Sequence, residues 1–141
     1  MAVGAARKSL GEGGIPIGAA IIANDGRVLS TGHNQRIQKR STVLHGEMDA
    51  LENTGILPAS ELRSATLFTT LSPCSMCTGA ILLYGIPRVV VLDSEGFLGE
   101  EAYLRAKGVE VVNAADPEMI EIFAQWKEAH PELWNQDIGL S

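Results

Sequence analysis

Short runs of β-branched and apolar residues alternate along the chain with stretches of good helix formers. The runs that predict β-strands lie at 17–22, 27–31, 65–71, 88–92 and 109–113. The stretches that predict helices lie at 1–10, 45–53, 74–84, 99–107 and 117 to about 129. The stretch that begins at 117 is expected to be the last helix. Alternating strands and helices are typical of a sheet covered on both faces. The pattern therefore predicts an α/β fold, a three-layer α-β-α sandwich around a mixed sheet of about five strands.

Glycine and proline mark the boundaries of these elements. Asn24-Asp25-Gly26 offers the positive φ angles that a tight hairpin needs, and Gly85 is suited to end a helix. Pro73 and Pro117 suit the first turns of two helices. The chain has 141 residues, 45% of them hydrophobic, and no repeat or linker interrupts it. We therefore expect one domain over residues 1–141.

The charge balance narrows the classes of partner. Eleven basic and seventeen acidic residues give a net charge of -6, which disfavours a nucleic-acid partner because the overall field repels polyanions. The longest apolar runs, such as 80–84, are too short to span a membrane, and the start lacks a signal core. We therefore expect a cytoplasmic protein with no membrane contact.

The two cysteines of the chain, Cys74 and Cys77, are spaced for a metal rather than for a disulfide. Residues at i and i+3 lie on one face of a helix, so both sulfurs can reach the same ion. Both also lie near a predicted helix N-terminus, where the helix dipole favours the thiolate that zinc requires.

His45 and Glu47 form the second half of the candidate centre. Residues two apart on an ideal helix point in nearly opposite directions, so they can converge only at an irregular helix start, where Ser41 or Thr42 is a possible cap. Three protein ligands leave one tetrahedral position of zinc open for water, as in catalytic sites. A carboxylate must then move protons, and Glu47 is the candidate. The sequence thus predicts one zinc ion per chain, bound by His45, Cys74 and Cys77.

The order H-x-E followed by P-C-x-x-C is the signature of zinc-dependent nucleobase deaminases. Over nearly its whole length the chain resembles the cytidine/deoxycytidylate deaminase superfamily, and within it the fungal-type cytosine deaminases that act on the free base. The blocks that carry the resemblance are 13–18, 32–34, 44–47, 51–53, 69–80, 84–88, Trp134 and 137–139.

The resemblance implies roles for six further residues. Asn34 and Asp137 would hydrogen-bond the base, and the Gly46-Glu47 segment would read its ring edge. Ser72 would lie beside the pocket, while Phe97 and Trp134 would pack on the ring. The resemblance also implies a homodimer and a C-terminal segment that closes over the ligand.

The predicted reaction is hydrolytic removal of the exocyclic amine from a free pyrimidine base, with cytosine giving uracil and ammonia. Several alternatives remain open at this point. They are deamination of another amino-heterocycle such as guanine or an isocytosine-like compound, deamination of adenosine in tRNA, and a non-catalytic module stabilised by zinc.

Overall fold

A five-stranded mixed sheet forms the centre of the protein in a computed structural model, which describes residues 1–140. Its strands are β1 (Gly18–Ile22), β2 (Val28–His33), β3 (Thr66–Thr69), β4 (Arg88–Val91) and β5 (Glu110–Asn113). They are ordered β2-β1-β3-β4-β5. β1 runs antiparallel to β2 and to β3, whereas β3, β4 and β5 are mutually parallel. The predicted α/β fold with a mixed sheet of about five strands is confirmed.

Seven helices surround the sheet within the described residues. They are α1 (Ala2–Gly11), α2 (Gly46–Asn53), α3 (Ala59–Arg63), α4 (Ser75–Tyr84), α5 (Glu101–Ala106), α6 (Pro117–Ala129) and α7 (Pro131–Asp137). The helix pattern did not predict α3 or α7, and the expectation that α6 is the last helix is wrong. Both missed helices have seven residues or fewer. Segments this short depend on tertiary packing more than on their own propensity.

Two glycines of the hairpin let helices approach opposite faces of the sheet. A Cβ atom on Gly18 would lie 2.2 Å from the carbonyl oxygen of Ala2 in α1, and one on Gly32 would lie 2.2 Å from the backbone nitrogen of Ala50 in α2. Gly32 pairs with Ala19, the neighbour of Gly18, so the two glycines face opposite sides. Helices therefore cover both faces, as the three-layer prediction requires.

The buried side chains form two clusters. The larger lies between the sheet and helices α2 to α5, and includes Ile21, Leu67, Ile81 and Leu104. The smaller cluster contains Ile15, Ile17, Leu71, Phe123, Trp126 and Trp134. Fully burying a large apolar side chain contributes about 1.5–3 kcal/mol. The second cluster matters for function because it supports one end of the sheet from the side of α6 and α7.

The local boundary signals act largely as expected. In the 23–27 turn Gly26 takes a φ of 91°, and the N–H of Ala23 donates to the carbonyl of Arg27. At the start of α6 the Asp116 side chain accepts a hydrogen bond from the N–H of Glu118 over 3.0 Å. No helix among the described residues is long and apolar enough to cross a membrane.

Candidate active site

His45 and Glu47 meet at the start of α2 because His45 is not yet helical. His45 is the N-cap residue, with φ -63° and ψ 166°, and α2 begins at Gly46. This extended backbone turns the imidazole towards the same side as the Glu47 carboxylate. The suggestion that Ser41 or Thr42 caps the helix is wrong, since Ser41 Oγ instead accepts the N–H groups of Val43 and Leu44 within the preceding loop.

Cys74 and Cys77 occupy the corresponding position at the start of α4. Cys74 is the N-cap residue, with an extended backbone at φ -71° and ψ 177°, and Cys77 lies in the first turn. The N–H groups of a first helical turn have no intrahelical partners and favour a nearby negative charge. The chain thus brings two helix N-termini together at one end of the sheet, with a histidine on one and two thiols on the other.

The three side chains fit one zinc ion. His45, Cys74 and Cys77 each offer a ligand atom, and these atoms lie within 4.8 Å of one another. His45 Nδ1 lies 3.5 Å from Cys74 Sγ. Nitrogen and sulfur atoms bound to a tetrahedral zinc at its usual bond lengths are about 3.5 Å apart. Both the donor set and the spacing therefore match a zinc centre with three protein ligands.

The two thiols differ in acidity. The pKa of Cys74 is lowered to about 4, because Cys77 donates a hydrogen bond to its sulfur and His45 stabilises the negative charge, against the effect of burial. The pKa of Cys77 is raised well above its usual value, because its proton is held by Cys74 and because it is buried. A divalent cation between the sulfurs would favour the thiolate form of both.

His45 lies between a sulfur and a carboxylate. Burial lowers its pKa, but Cys74, Asp137 and Glu47 supply enough negative charge to raise it to about 9. Its Nε2 atom lies 3.5 Å from Asp137 Oδ1. A ring nitrogen that faces a carboxylate keeps its proton, which leaves the opposite nitrogen, Nδ1, available to a metal.

The Glu47 carboxylate is almost completely buried, with 4% of the residue exposed. Burial raises its pKa, and the negative charge of Cys74 raises it further, against the opposing influence of His45. The hydroxyl of Thr69, at the end of β3, lies 3.2 Å from Glu47 Oε1 and 2.9 Å from the carbonyl oxygen of Leu71. A buried carboxyl group with a raised pKa beside a metal site is suited to taking up and returning a proton.

A small cavity opens beside these groups. It encloses about 280 Å³ of empty space, part of it open to solvent. The lining residues are Ile17, His45, Glu47, Leu71, Ser72, Cys74, Phe97, Trp134, Asp137 and Ile138. The lining thus combines the polar groups of the candidate metal centre with apolar and aromatic side chains.

Asp137 enters the cavity from α7 and is held there by Asn34. Asn34 is fully buried, donates from Nδ2 to Asp137 Oδ2 over 3.0 Å, and accepts the N–H of Arg36 on Oδ1. Burial raises the pKa of Asp137, against the opposing charges of His45 and Arg36. Asp137 Oδ1 is buried and has no hydrogen-bond partner within residues 1–140. Two cationic groups face this atom, His45 Nε2 at 3.5 Å and Arg36 Nη1 at 3.8 Å, but neither forms a hydrogen bond with it, so it can still accept an N–H group from a ligand.

The other residues predicted to touch a ligand occupy different positions around the cavity. Phe97 and Trp134 pack edge to face, with centroids 5.6 Å apart, and form its apolar side. Ser72 lines the cavity, but its hydroxyl donates to Glu101 over 2.5 Å. Gly46 and Asn34 are buried next to the cavity residues without lining it.

Several residues of the site were not predicted to line it, although each lies in a block that resembles the family. Ile17, Leu71 and Ile138 line the cavity, and Thr69 contacts Glu47. The three apolar residues look like ordinary core positions in a linear pattern. Thr69 is the one polar residue of the four, and the alternation along β3 places its side chain on the buried face of the strand. Its proximity to Glu47 depends on the pairing of strands.

The fold and the centre together define a zinc-dependent deaminase, an enzyme with a His-Cys-Cys metal site and a carboxylate beside it. Residues 1–93 match the cytidine and deoxycytidylate deaminase zinc-binding region. A cytosine deaminase of Candida albicans is 56% identical over 139 residues, which cover 99% of this chain and 93% of that protein. The chain belongs to the cytidine and deoxycytidylate deaminase family.

Two other similar proteins differ in what they act on. A tRNA-specific adenosine deaminase of Streptococcus pyogenes is 41% identical over 86 residues, 60% of this chain and 54% of that protein. The structure of a guanine deaminase from Nitrosomonas europaea has a TM-score of 0.72 and 18% identity, and covers 90% of this chain and 81% of that one. At this identity the second likeness shows the shared fold.

Proposed function

We propose that this protein deaminates free cytosine hydrolytically, giving uracil and ammonia. The observation that carries the proposal is the 56% identity, over 99% of the chain, to a cytosine deaminase. The small cavity supports a free base rather than a nucleotide within a polymer, because Trp134 and Ile138 occupy part of its lining and leave little space around a ring. The guanine and tRNA alternatives lack a comparable full-length match among these relatives.

The roles of the residues follow from the positions of their atoms. His45, Cys74 and Cys77 hold the zinc ion, which when bound lowers the pKa of a coordinated water and supplies a Lewis acid. Glu47 takes a proton from water and gives it to the ring nitrogen N3 while the water oxygen bonds to C4. It then takes the remaining proton of that oxygen and gives it to the amine, which leaves as ammonia as the C4 carbonyl forms. Its burial supports this role because a raised pKa lets the carboxyl group hold a proton between these steps.

The substrate contacts are supported by unpaired polar atoms and by ring packing. Asp137 Oδ1, which forms no hydrogen bond within residues 1–140, accepts a ring N–H of the base, with Asn34 holding the other oxygen of the same carboxylate. The resemblance suggests that the backbone N–H of Gly46 reaches the ring edge between His45 and Glu47, the two neighbours that line the cavity. Ser72 forms part of the cavity wall. Phe97 and Trp134 pack on the ring, and their packing excludes water from the reacting atoms.

The decisive experiment for the substrate is an ammonia-release assay on zinc-quantified protein. Cytosine, isocytosine, guanine, adenine and cytidine are compared at equal concentration. We expect cytosine to be turned over and cytidine to be rejected, since the cavity has little room for a ribose. Release from guanine or adenine without release from cytosine would refute the proposed substrate while leaving a deaminase.

A variant tests the role of Glu47. Glu47→Gln keeps the shape of the side chain but cannot carry the proton, so we expect unchanged zinc content and a loss of activity of about 10²–10⁴-fold or more. Glu121→Gln, on the exposed side of α6, is the matched control. Near wild-type turnover by zinc-loaded Glu47→Gln would contradict the mechanism.

We propose further that the single domain of residues 1–141 works as a homodimer in the cytoplasm. The reducing compartment is supported by the need to keep Cys74 and Cys77 as thiols.

The dimer is supported by an apolar surface between α2, α3 and α4, where Ile56 and Leu83 are highly exposed. Leu83→Glu is expected to give monomers in sedimentation experiments, whereas Leu98→Glu, exposed elsewhere, is expected to stay dimeric. A wild-type monomer would refute this assembly.

A further inference from the structure

A buried carboxylate outside the metal centre joins two walls of the cavity. Glu101 is the first residue of α5 and is only 4% exposed. Its Oε2 atom accepts hydrogen bonds from the hydroxyls of Ser72 and Ser94, each over 2.5 Å. Ser72 lines the cavity and precedes Pro73 and Cys74. Ser94 begins the loop that leads to Phe97.

The hydroxyl of Ser72 has a fixed direction in this network. It accepts the backbone N–H of Gly99 over 2.9 Å, so its own proton is directed to Glu101. The backbone N–H of Glu100 donates to the carbonyl of Pro73 over 3.0 Å. A Cβ atom on Gly99 would lie 1.9 Å from that carbonyl oxygen, which explains why the loop has a glycine there. The segment 99–101 is thus bound tightly against the corner that precedes Cys74.

The second hydroxyl connects the same carboxylate to the aromatic side of the cavity. Ser94 also accepts a hydrogen bond from Asn113 Nδ2 over 2.9 Å, at the end of β5. The following residues, 95 and 96, donate their N–H groups to Asp93 Oδ1 in a tight turn. This turn sets the path of the chain to Phe97, whose ring packs on Trp134.

We propose that Glu101 is a positioning residue for substrate binding, an inference that rests on the deaminase function proposed above. No hydrogen bond or ion pair joins Glu101 to the metal ligands or to Glu47 within residues 1–140, but it accepts one hydrogen bond from each of two segments that contribute a lining residue to the cavity, Ser72 and Phe97. Loss of this shared acceptor frees the Phe97 loop to move, while the corner that precedes Cys74 stays held by the backbone N–H groups of Gly99 and Glu100. The affinity for the base then falls, while the groups that carry out the chemistry stay in place.

The test compares Glu101→Gln and Glu101→Leu with wild type and with Glu100→Gln, an exposed neighbour whose backbone contact is unaffected. Leucine removes the acceptor, and we expect it to raise the KM for cytosine by about tenfold or more, as for loss of about 1.4 kcal/mol of binding. Glutamine keeps one acceptor oxygen, so we expect Glu101→Gln to raise the KM less than Glu101→Leu does. The kcat per bound zinc stays within about threefold of wild type.

Two further measurements separate positioning from a general loss of structure. Titration with uracil, followed by tryptophan fluorescence, is expected to show the same weakening as KM. Ser94→Ala removes one donor from a partly exposed position and is expected to raise KM by a smaller factor. Wild-type KM in both Glu101 variants, or a loss of kcat and zinc with KM unchanged, would overturn the inference. An inactive wild-type protein would instead refute the proposed function.

Discussion

The hydroxyl of Thr69 offers a direct test of how Glu47 is held. Thr69 is fully buried, and its Oγ1 lies 3.2 Å from Glu47 Oε1 and 2.9 Å from the carbonyl oxygen of Leu71. Thr69→Val replaces the hydroxyl by a methyl group of similar size, so the cavity and the packing of β3 are retained. The substitution therefore removes only the hydroxyl and its two contacts, with Glu47 and with the Leu71 carbonyl.

The expected magnitude follows from the geometry. A hydrogen bond to a charged group contributes about 1.5–3 kcal/mol. The contact with Glu47 is longer than the usual O–H···O distance, and one proton serves two acceptors, so the lower end applies. A loss of about 1.4 kcal/mol corresponds to a tenfold decrease in kcat. The unfolding free energy should also fall, by about 1–3 kcal/mol, because the Leu71 carbonyl loses its donor.

The assay is steady-state deamination of cytosine, with kcat expressed per bound zinc. Thr69→Ser keeps the hydroxyl and is expected to retain most of the activity. Thr78→Val is the matched control, since Thr78 is a buried threonine on α4 whose Oγ1 has no partner within residues 1–140. An unchanged kcat in Thr69→Val, or an equal loss in Thr78→Val, would show that the hydroxyl does not orient Glu47.

Three further outcomes are expected. Thr78→Val should raise the free energy of unfolding by about 1 kcal/mol, because it removes an unpaired buried hydroxyl. Urea denaturation measures this change, and a decrease in the free energy of unfolding would mean that the hydroxyl has a partner. Gly32→Ala should destabilise the protein by about 1–3 kcal/mol, since its Cβ would meet the backbone of α2. By contrast, Gly4→Ala, at an exposed position of α1 with nothing within 4 Å, should stabilise it by up to about 1 kcal/mol. A reversal of that order would contradict the packing described. Removal of zinc with a chelator should abolish turnover and lower the melting temperature, with recovery on adding one equivalent of zinc, and full activity in metal-free protein would exclude the metal centre.

Much of the fold could be predicted because its signals are local. The alternation of β-branched runs with helix formers predicted all five strands and their mixed sheet. Pro117 begins α6, and Gly26 takes the positive φ angle of the turn between β1 and β2. The two helices that were missed are short, and α7 is stabilised by packing Trp134 against Phe123, 4.9 Å away between ring centroids. A pattern along the chain does not contain that contact.

The sequence by itself determined the metal ligands, because the spacing of Cys74 and Cys77 within one helix brings both sulfurs to one face, and the H-x-E pattern adds the histidine and the carboxylate. Only the tertiary structure decided what surrounds them. Asn34 and Asp137 are 103 residues apart and meet through a single hydrogen bond. Glu101 reaches the cavity through Ser72, and Thr69 reaches Glu47 across the end of the sheet. Such contacts depend on the order of the strands and on how the helices pack over them, which local propensity and spacing do not encode.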